Sequence, residues 1–263
     1  MFTIKNRGDH MASRNIDIEI GQDGWGDGRP DNVRKLLHST ARQFMRGPEN
    51  VPWPDIYVFR VNDNPITLHA HRPDGRVAIG LHTTDRLWSQ YIFQFAHEMV
   101  HFIAGHLPVK IGWQITENPV GWIEESISET GSLFALRSMS IGWRTRPPYS
   151  NWKEYSPELW NYAQERMDNP EHCIHQGMSF TEWLGGNIEA LRKNPYDRKL
   201  NTIVAKQLLP AFEENPLAWN AVAYLRTSQA GSHAQLDEHL HGWCEACPQD
   251  VRQYVERIAA TLR

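Results

Sequence analysis

The sequence predicts an α+β fold: a small mixed sheet with two long helices in the first half, then an all-helical part. Three observations carry this expectation. Short runs with period-two alternation or continuous apolar character, bounded by Gly, Pro and Asp, lie before residue 83. Two long stretches with broad apolar helical faces follow, one ending at Gly105 and one from about 119 to 141. Beyond Arg146, Pro147 and Pro148 every periodic segment has helical spacing, and prolines mark starts and stops.

With 263 residues the chain has material for one or two cores. Its 40% hydrophobic and 22% charged residues place it among ordinary globular proteins rather than disordered ones. The 11 Trp point to large aromatic contacts in a core or a cleft. A net charge of −4, with no block of Lys or Arg, argues against nucleic acid or an anionic membrane as partner. Cys173, Cys244 and Cys247 are too few for a disulfide scaffold and fit a reducing, cytoplasmic compartment. No stretch approaches the roughly 18 apolar residues of a membrane span. Lys5, Arg7, Asp9 and Arg14 precede no apolar run, unlike the start of a secretory signal.

Taken in order, residues 1–14 read as a flexible tail, and 15–20 alternate polar and apolar as a half-buried strand does. Residues 21–28 form a glycine-rich turn. Its Asp23 and Asp27 lack the spacing and closing Glu of a calcium loop. Pro30 opens a helix to about Met45, with Val33, Leu36, Leu37 and Phe44 on one face, and residues 46–50 end it. Strands are expected at 56–61, 66–72 and 76–82, the last two joined by a turn at Pro73, Asp74 and Gly75. The next helix is expected to follow a Thr83, Thr84 or Asp85 cap and to stop at Gly105. Asn118 before Pro119 starts the second long helix, whose Gly131, Ser132 and Ala135 allow close approach to a neighbour. Later helices are expected at about 156–168, 179–193, 198–213, 216–227, 233–246 and 248–262. The Pro147–Pro148 pair divides the chain into parts 15–146 and 147–263.

The first long helix contains His97, Glu98, Met99, Val100 and His101, an H-E-x-x-H pattern. Two imidazoles four residues apart stand on one helix face and can reach one ion. The carboxylate between them is then placed to act on a water held by that ion. Gln90, Gln94, His97 and His101 recur at intervals of four, three and four, making one polar stripe on an otherwise apolar helix. Buried imidazoles need partners, and a zinc site needs a third protein ligand. The next helix offers Glu124, Glu125 and Glu129.

Over roughly residues 76–135 the chain resembles the gluzincins, H-E-x-x-H zinc metallopeptidases whose third ligand is a Glu on a second helix. Thermolysin-like enzymes and zinc aminopeptidases are the nearest groups. Trp122, Ile123, Glu124, Glu125 and Ser126 are similar to the W-L-N-E-G-like stretch of the aminopeptidases, which implies Glu125 as third ligand. Glu124 is the alternative. Glu129 falls at the offset where thermolysin-like enzymes place an acid that steadies a zinc-bound His. The resemblance implies a zincin-like catalytic core over 15–146, Zn²⁺ as cofactor and a peptide or protein substrate. It also implies Glu98 as general base and acid. It gives the strand at 77–82 the pairing of extended substrate, and the oxyanion a donor from the helical half. Candidate donors are Tyr149, Tyr155, Tyr162, His172, His175 and His233. Residues 46–50 depart at the Met from the G-x-M-E-N stretch of the aminopeptidases, so no exopeptidase mode is assigned.

Two other clusters are weighed. His239, His241, Cys244 and Cys247 lie along one helical stretch rather than around a turn, and are expected to pack in the core rather than hold a second metal. His69 and His71 alternate on a strand and share an exposed face. Two other functions remain open: a zinc hydrolase of non-peptide amides, and a binding module that keeps the scaffold without turnover.

Overall fold

In a computed structural model, which describes residues 16–45, 53–110, 121–227 and 234–263, the apolar run at 77–81 forms an inner strand of a four-stranded sheet. The expected tail at 1–14, the helix end at 46–50, the Asn118–Pro119 start and His233 lie outside the described residues. The strands are β1 (Ile18–Ile20), β2 (Ile56–Arg60), β3 (Ile66–His71) and β4 (Val77–Leu81), in the order β1-β2-β4-β3. β1, β2 and β4 run parallel, and β3 is antiparallel to β4, so the sheet is mixed. All five residues of β4 are buried, whereas β3 is largely exposed and ends the sheet. Their sequences account for this. A strand covered on both faces reads as a continuous apolar run, and V-A-I-G-L is one, while β3 carries Thr67, His69 and His71.

Nine α-helices follow among the described residues: α1 (Pro30–Ala41), α2 (Trp88–Lys110), α3 (Gly121–Trp143), α4 (Ser156–Asp168), α5 (Phe180–Lys193), α6 (Arg198–Glu214), α7 (Trp219–Val222), α8 (Leu236–Ala246) and α9 (Gln249–Leu262). The chain is therefore α+β with a small mixed sheet and a helical second half, as expected. The strand expected at 15–20 shortens to Ile18–Ile20 and the helix expected to about Met45 ends at Ala41, and three further boundaries near the α2 region and its partners differ from the sequence reading. Asp85 does not cap α2: it has φ +59° and its carboxylate accepts the Asp27 amide, pinning the glycine-rich loop, so α2 begins at Trp88. Gly105 does not end α2. It stays helical and faces Arg226, where an added Cβ would lie 3.4 Å from Nη1. The helix expected at 216–227 shortens to one 3₁₀ turn and α7. Tyr224 and Leu225 donate to Ala221 and Val222, three residues back, which tightens the chain.

α2 packs on the sheet and on α1, and α3 packs against α2, α4 and α6. The buried apolar cluster runs from Ile18 in the sheet to Leu262 in α9, and Trp122, Trp143, Trp219 and Trp243 are fully buried within it. No helix among the described residues is long and apolar enough to cross a membrane.

The closeness of α2 and α3 depends on Gly131. A Cβ there would lie 2.7 Å from Val100 Cγ2 and 3.4 Å from the Ala96 carbonyl. Ser132 beside it donates to the Phe93 carbonyl at 2.8 Å. Val100 is β-branched and stiff at χ1, so it does not simply turn away. Gly131→Ala gains up to about 1 kcal/mol in helix propensity, but overpacking costs about 1–3 kcal/mol. We expect a net loss of stability in denaturant unfolding. A stabilised variant would show that the helices do not meet there.

Candidate metal centre

His97 and His101 project from one face of α2, with ring centroids 5.0 Å apart. Across from them α3 presents Glu124, Glu125 and Glu129. The Nε2 atoms of both rings converge on one carboxylate: His97 Nε2 lies 3.3 Å from Glu125 Oε2, and His101 Nε2 lies 3.5 Å from Glu125 Oε1. Tetrahedral bonds of about 2.0–2.2 Å place neighbouring donor atoms about 3.3–3.5 Å apart. The two contacts go to different oxygens of Glu125, and one donor atom from each of the three side chains lies within 4.8 Å of the others, a group that could hold a small cation such as Zn²⁺. Among the described residues this is the only group of three or more His, Cys, Asp or Glu whose donor atoms all lie within 4.8 Å of one another.

The outward nitrogens have acids of their own. His101 Nδ1 is 2.7 Å from Glu124 Oε1, and His97 Nδ1 is 3.8 Å from Glu129 Oε2. A carboxylate bonded to Nδ1, as Glu124 is to His101, holds a proton there and leaves Nε2 for a metal, whereas Glu129 stands beyond hydrogen-bond reach of His97. A single acceptor would satisfy each ring as a structural histidine. Acids on both sides of both rings are what a ligand pair needs.

These acids are themselves tied down. Arg226 donates to Glu124 through Nε (2.7 Å to Oε2) and Nη2 (2.6 Å to Oε1), a two-bond clamp on a buried carboxylate. Thr202 of α6 donates to Glu129 Oε1 at 3.2 Å and to the Arg198 carbonyl at 2.7 Å. Ser126, on the same side of α3, donates to Asn201 at 3.1 Å. The helical half thus holds the acidic face of α3 in register with α2.

Glu98 is buried, and Thr67 of β3 donates to its Oε2 at 2.8 Å and to its backbone carbonyl at 3.1 Å. Gln94 pairs both ends of its amide with the His82 backbone, at 2.8 and 2.9 Å, fastening the exit of β4 to α2. A cavity of about 700 Å³ opens over this group, between β3 and the helical half. Glu98, the two histidines, Glu125 and Glu129 line it, as do Gln90 and Gln94 of the same stripe.

Burial opposes protonation of both rings, yet the carboxylates outweigh it. Glu125 and Glu129 raise His97 to about 9, and Glu124 and Glu125 raise His101 well above its ordinary value. Burial would likewise favour a protonated Glu124, but His101 and Arg226 hold it at about 2. Glu125 is pulled below the usual carboxylate range by the two histidines. In the metal-free protein both rings therefore keep their extra proton at neutral pH, His97 up to about pH 9. A metal must displace those protons, so affinity should fall as pH falls. We expect more than one proton released per zinc bound at pH 7, read by titration calorimetry in buffers of different ionisation enthalpy. Heats that do not depend on the buffer would count against this electrostatic picture.

The other expected residues sort as follows. Tyr162 and His172 line the cavity. Tyr149 packs on Trp152 beneath Lys35, Tyr155 bonds Ser89, and His175 is exposed in a turn, so none of the three borders it. β4 cannot take up an extended substrate, because β2 and β3 occupy both its edges; the strand bordering the cavity is β3. His71 Nε2 meets His106 Nδ1 at 3.2 Å, and His69 borders the cavity. Burial and the neighbouring His71 lower His106 to about 4. At the C-terminal cluster His239 and Cys247 are buried, Cys244 is half-buried and His241 is exposed, so the four do not converge. Thr67, Glu124 and Arg226 are the site residues whose roles the sequence reading missed. Comparisons with protein-family models, with curated proteins and with solved structures find no match to this chain.

Proposed function

We propose that the protein is a zinc-dependent hydrolase of peptide bonds with a gluzincin-like catalytic core. The observation that carries this reading is the convergence of His97 Nε2 and His101 Nε2 on Glu125 at tetrahedral edge distances. Glu98 on the same helix borders the same cavity. His97, His101 and Glu125 would hold the metal. Glu124 and Glu129 would fix the two rings.

When bound, the metal supplies a Lewis acid for the scissile carbonyl and lowers the pKa of its water. Glu98 accepts the proton of the attacking water and passes it to the leaving amine. The hydroxyl of Thr67 orients the Glu98 carboxylate while leaving its other oxygen, Oε1, for the reaction. Tyr162 and His172 are the residues of the helical half available to donate to the oxyanion.

A peptide rather than another amide is favoured by β3. It ends the sheet, borders the cavity from Ile66 to His69, and presents a strand edge that an extended backbone can pair with. The role that the resemblance gives to the strand at 77–82 thus passes to β3.

The test is elemental analysis of the purified protein combined with cleavage-site profiling on a peptide library. The reading requires about one Zn²⁺ per chain and cleavage that a chelator abolishes and zinc restores. Protein that takes up no metal would sink it. Metal without cleavage of any peptide would leave the binding module as the better account.

A further inference from the structure

Four acids face the centre, and each is engaged within the chain. Glu124 holds Arg226 and His101, Glu125 faces both ring Nε2 atoms, Glu129 takes Thr202, and Glu98 takes Thr67. Two arginines of the same cavity have no such partner. Arg166 of α4 and Arg198, the first residue of α6, line it from the helical side. Among the described residues no carboxylate oxygen lies within 4.0 Å of either guanidinium.

Arg166 is held in place by other means. Its Cζ lies 3.9 Å over the Phe93 ring and 5.1 Å from the centre of the Tyr162 ring. Nη2 donates to the Tyr162 hydroxyl at 3.1 Å, and the Arg166 carbonyl accepts from His172 Nδ1 at 2.7 Å. Its Nε is buried and donates to no atom of the described residues. A buried donor left unused costs free energy, and a guanidinium stacked on rings is pre-organised for a planar oxyanion. Phe93 precedes His97 by one helical turn, so the stack stands about 5–6 Å along α2 from the first ligand. Arg198 reaches across the cavity mouth to Asn64 Oδ1 at 3.2 Å. Thr202, one turn further along α6, touches Glu129.

We propose that Arg166 and Arg198 form a carboxylate receptor, so that the preferred substrate is a peptide with a carboxylate close to the scissile bond. A free C-terminus and an acidic side chain offer the same planar fork to a guanidinium. The inference rests on the hydrolase reading for the nature of the ligand.

The experiment uses three matched peptides: one neutral and C-terminally amidated, one with a free C-terminus, and one amidated with a single Glu. Binding is measured by calorimetry on zinc-loaded full-length Glu98→Gln protein, and cleavage on the wild type. At least one carboxylate peptide should bind ten-fold or more tighter than the neutral one, and which one does identifies the source. Adding Arg166→Gln should bring the ratio close to one, and Arg166→Lys should restore it only in part. Arg166 packs on Phe93, so Arg198→Gln, at an exposed position, gives a second reading. It should lower the ratio several-fold. Equal binding of all three peptides, or a ratio that survives Arg198→Gln and Arg166→Gln together, overturns the receptor. Cleavage regardless of carboxylate removes the receptor and leaves the hydrolase. A carboxylate preference in binding with no cleavage removes the hydrolase and leaves the receptor.

Discussion

Glu98→Gln should retain about one Zn²⁺ per chain and lose about 10²–10⁴-fold in kcat. Glu98 is not among the converging ligand atoms, so the metal set is untouched by the change. Gln has nearly the same shape, and its amide oxygen can still accept the Thr67 hydroxyl that Glu98 Oε2 accepts now at 2.8 Å. The carboxylate is buried, and among the described residues no arginine or lysine pairs with it, so its replacement by an amide breaks no salt bridge to either. What disappears is the capacity to take a proton from water and return it to the leaving amine. Metal content by elemental analysis and turnover on a peptide identified by profiling decide the matter. Loss of metal together with activity would mean that Glu98 is structural. Full activity would mean that the proton is carried by another group. Thr67→Val is a milder companion. It leaves the carboxylate in place without its tether, so kcat should fall while metal content holds.

Much of this arrangement is legible in the sequence, because it rests on local periodicity. The four-residue spacing of His97 and His101 puts them on one face of any helix, and Glu125 and Glu129 share a face of the next by the same rule. The small residues around Gly131 mark where these helices touch. The substrate-pairing role that the resemblance gives to the strand at 77–82 does not fit the sheet, although the chain held a signal. β4 has no polar residue and so reads as covered on both faces, whereas the histidines of β3 mark it as a margin. The resemblance points to the strand just before α2 in the chain, but adjacency in sequence does not give position in a sheet. Glu124 was harder to place. It is one residue from Glu125, about 100° around the helix, and nothing local tells which carboxylate meets Nε2 and which meets Nδ1. The answer comes from Arg226, 102 residues away, which reaches Glu124 because the expected helix at 216–227 breaks after Val222. Long-range pairing of this kind leaves no local periodicity to read.

That distant arginine makes the division of labour between the two adjacent glutamates testable. Glu125→Ala should abolish stoichiometric zinc binding, because it removes the only carboxylate among the described residues that both Nε2 atoms face. Glu124→Gln should keep stoichiometric zinc but weaken it by about 10–100-fold, the usual effect of losing the group behind a ligating histidine. The two variants also differ in stability. Glu124 is fully charged at neutral pH, and its lowered value of about 2 stabilises the fold above its ordinary pKa and is lost as pH falls toward 2. Removing its charge takes the two-bond carboxylate clamp from Arg226, a mostly buried guanidinium, and breaking a buried pair from one side costs about 3–5 kcal/mol. Arg226→Met does the same from the other side by removing the guanidinium clamp from Glu124. Its Glu124 should then titrate nearer the ordinary carboxylate range, so the acid limb of the unfolding curve should move to higher pH. Combining both changes in Glu124→Gln with Arg226→Met should recover much of the stability and none of the zinc affinity, since the Nδ1 acid is still absent. A Glu124→Gln protein that binds no zinc, beside a Glu125→Ala protein that does, would exchange the two assignments and make Glu124 the ligand.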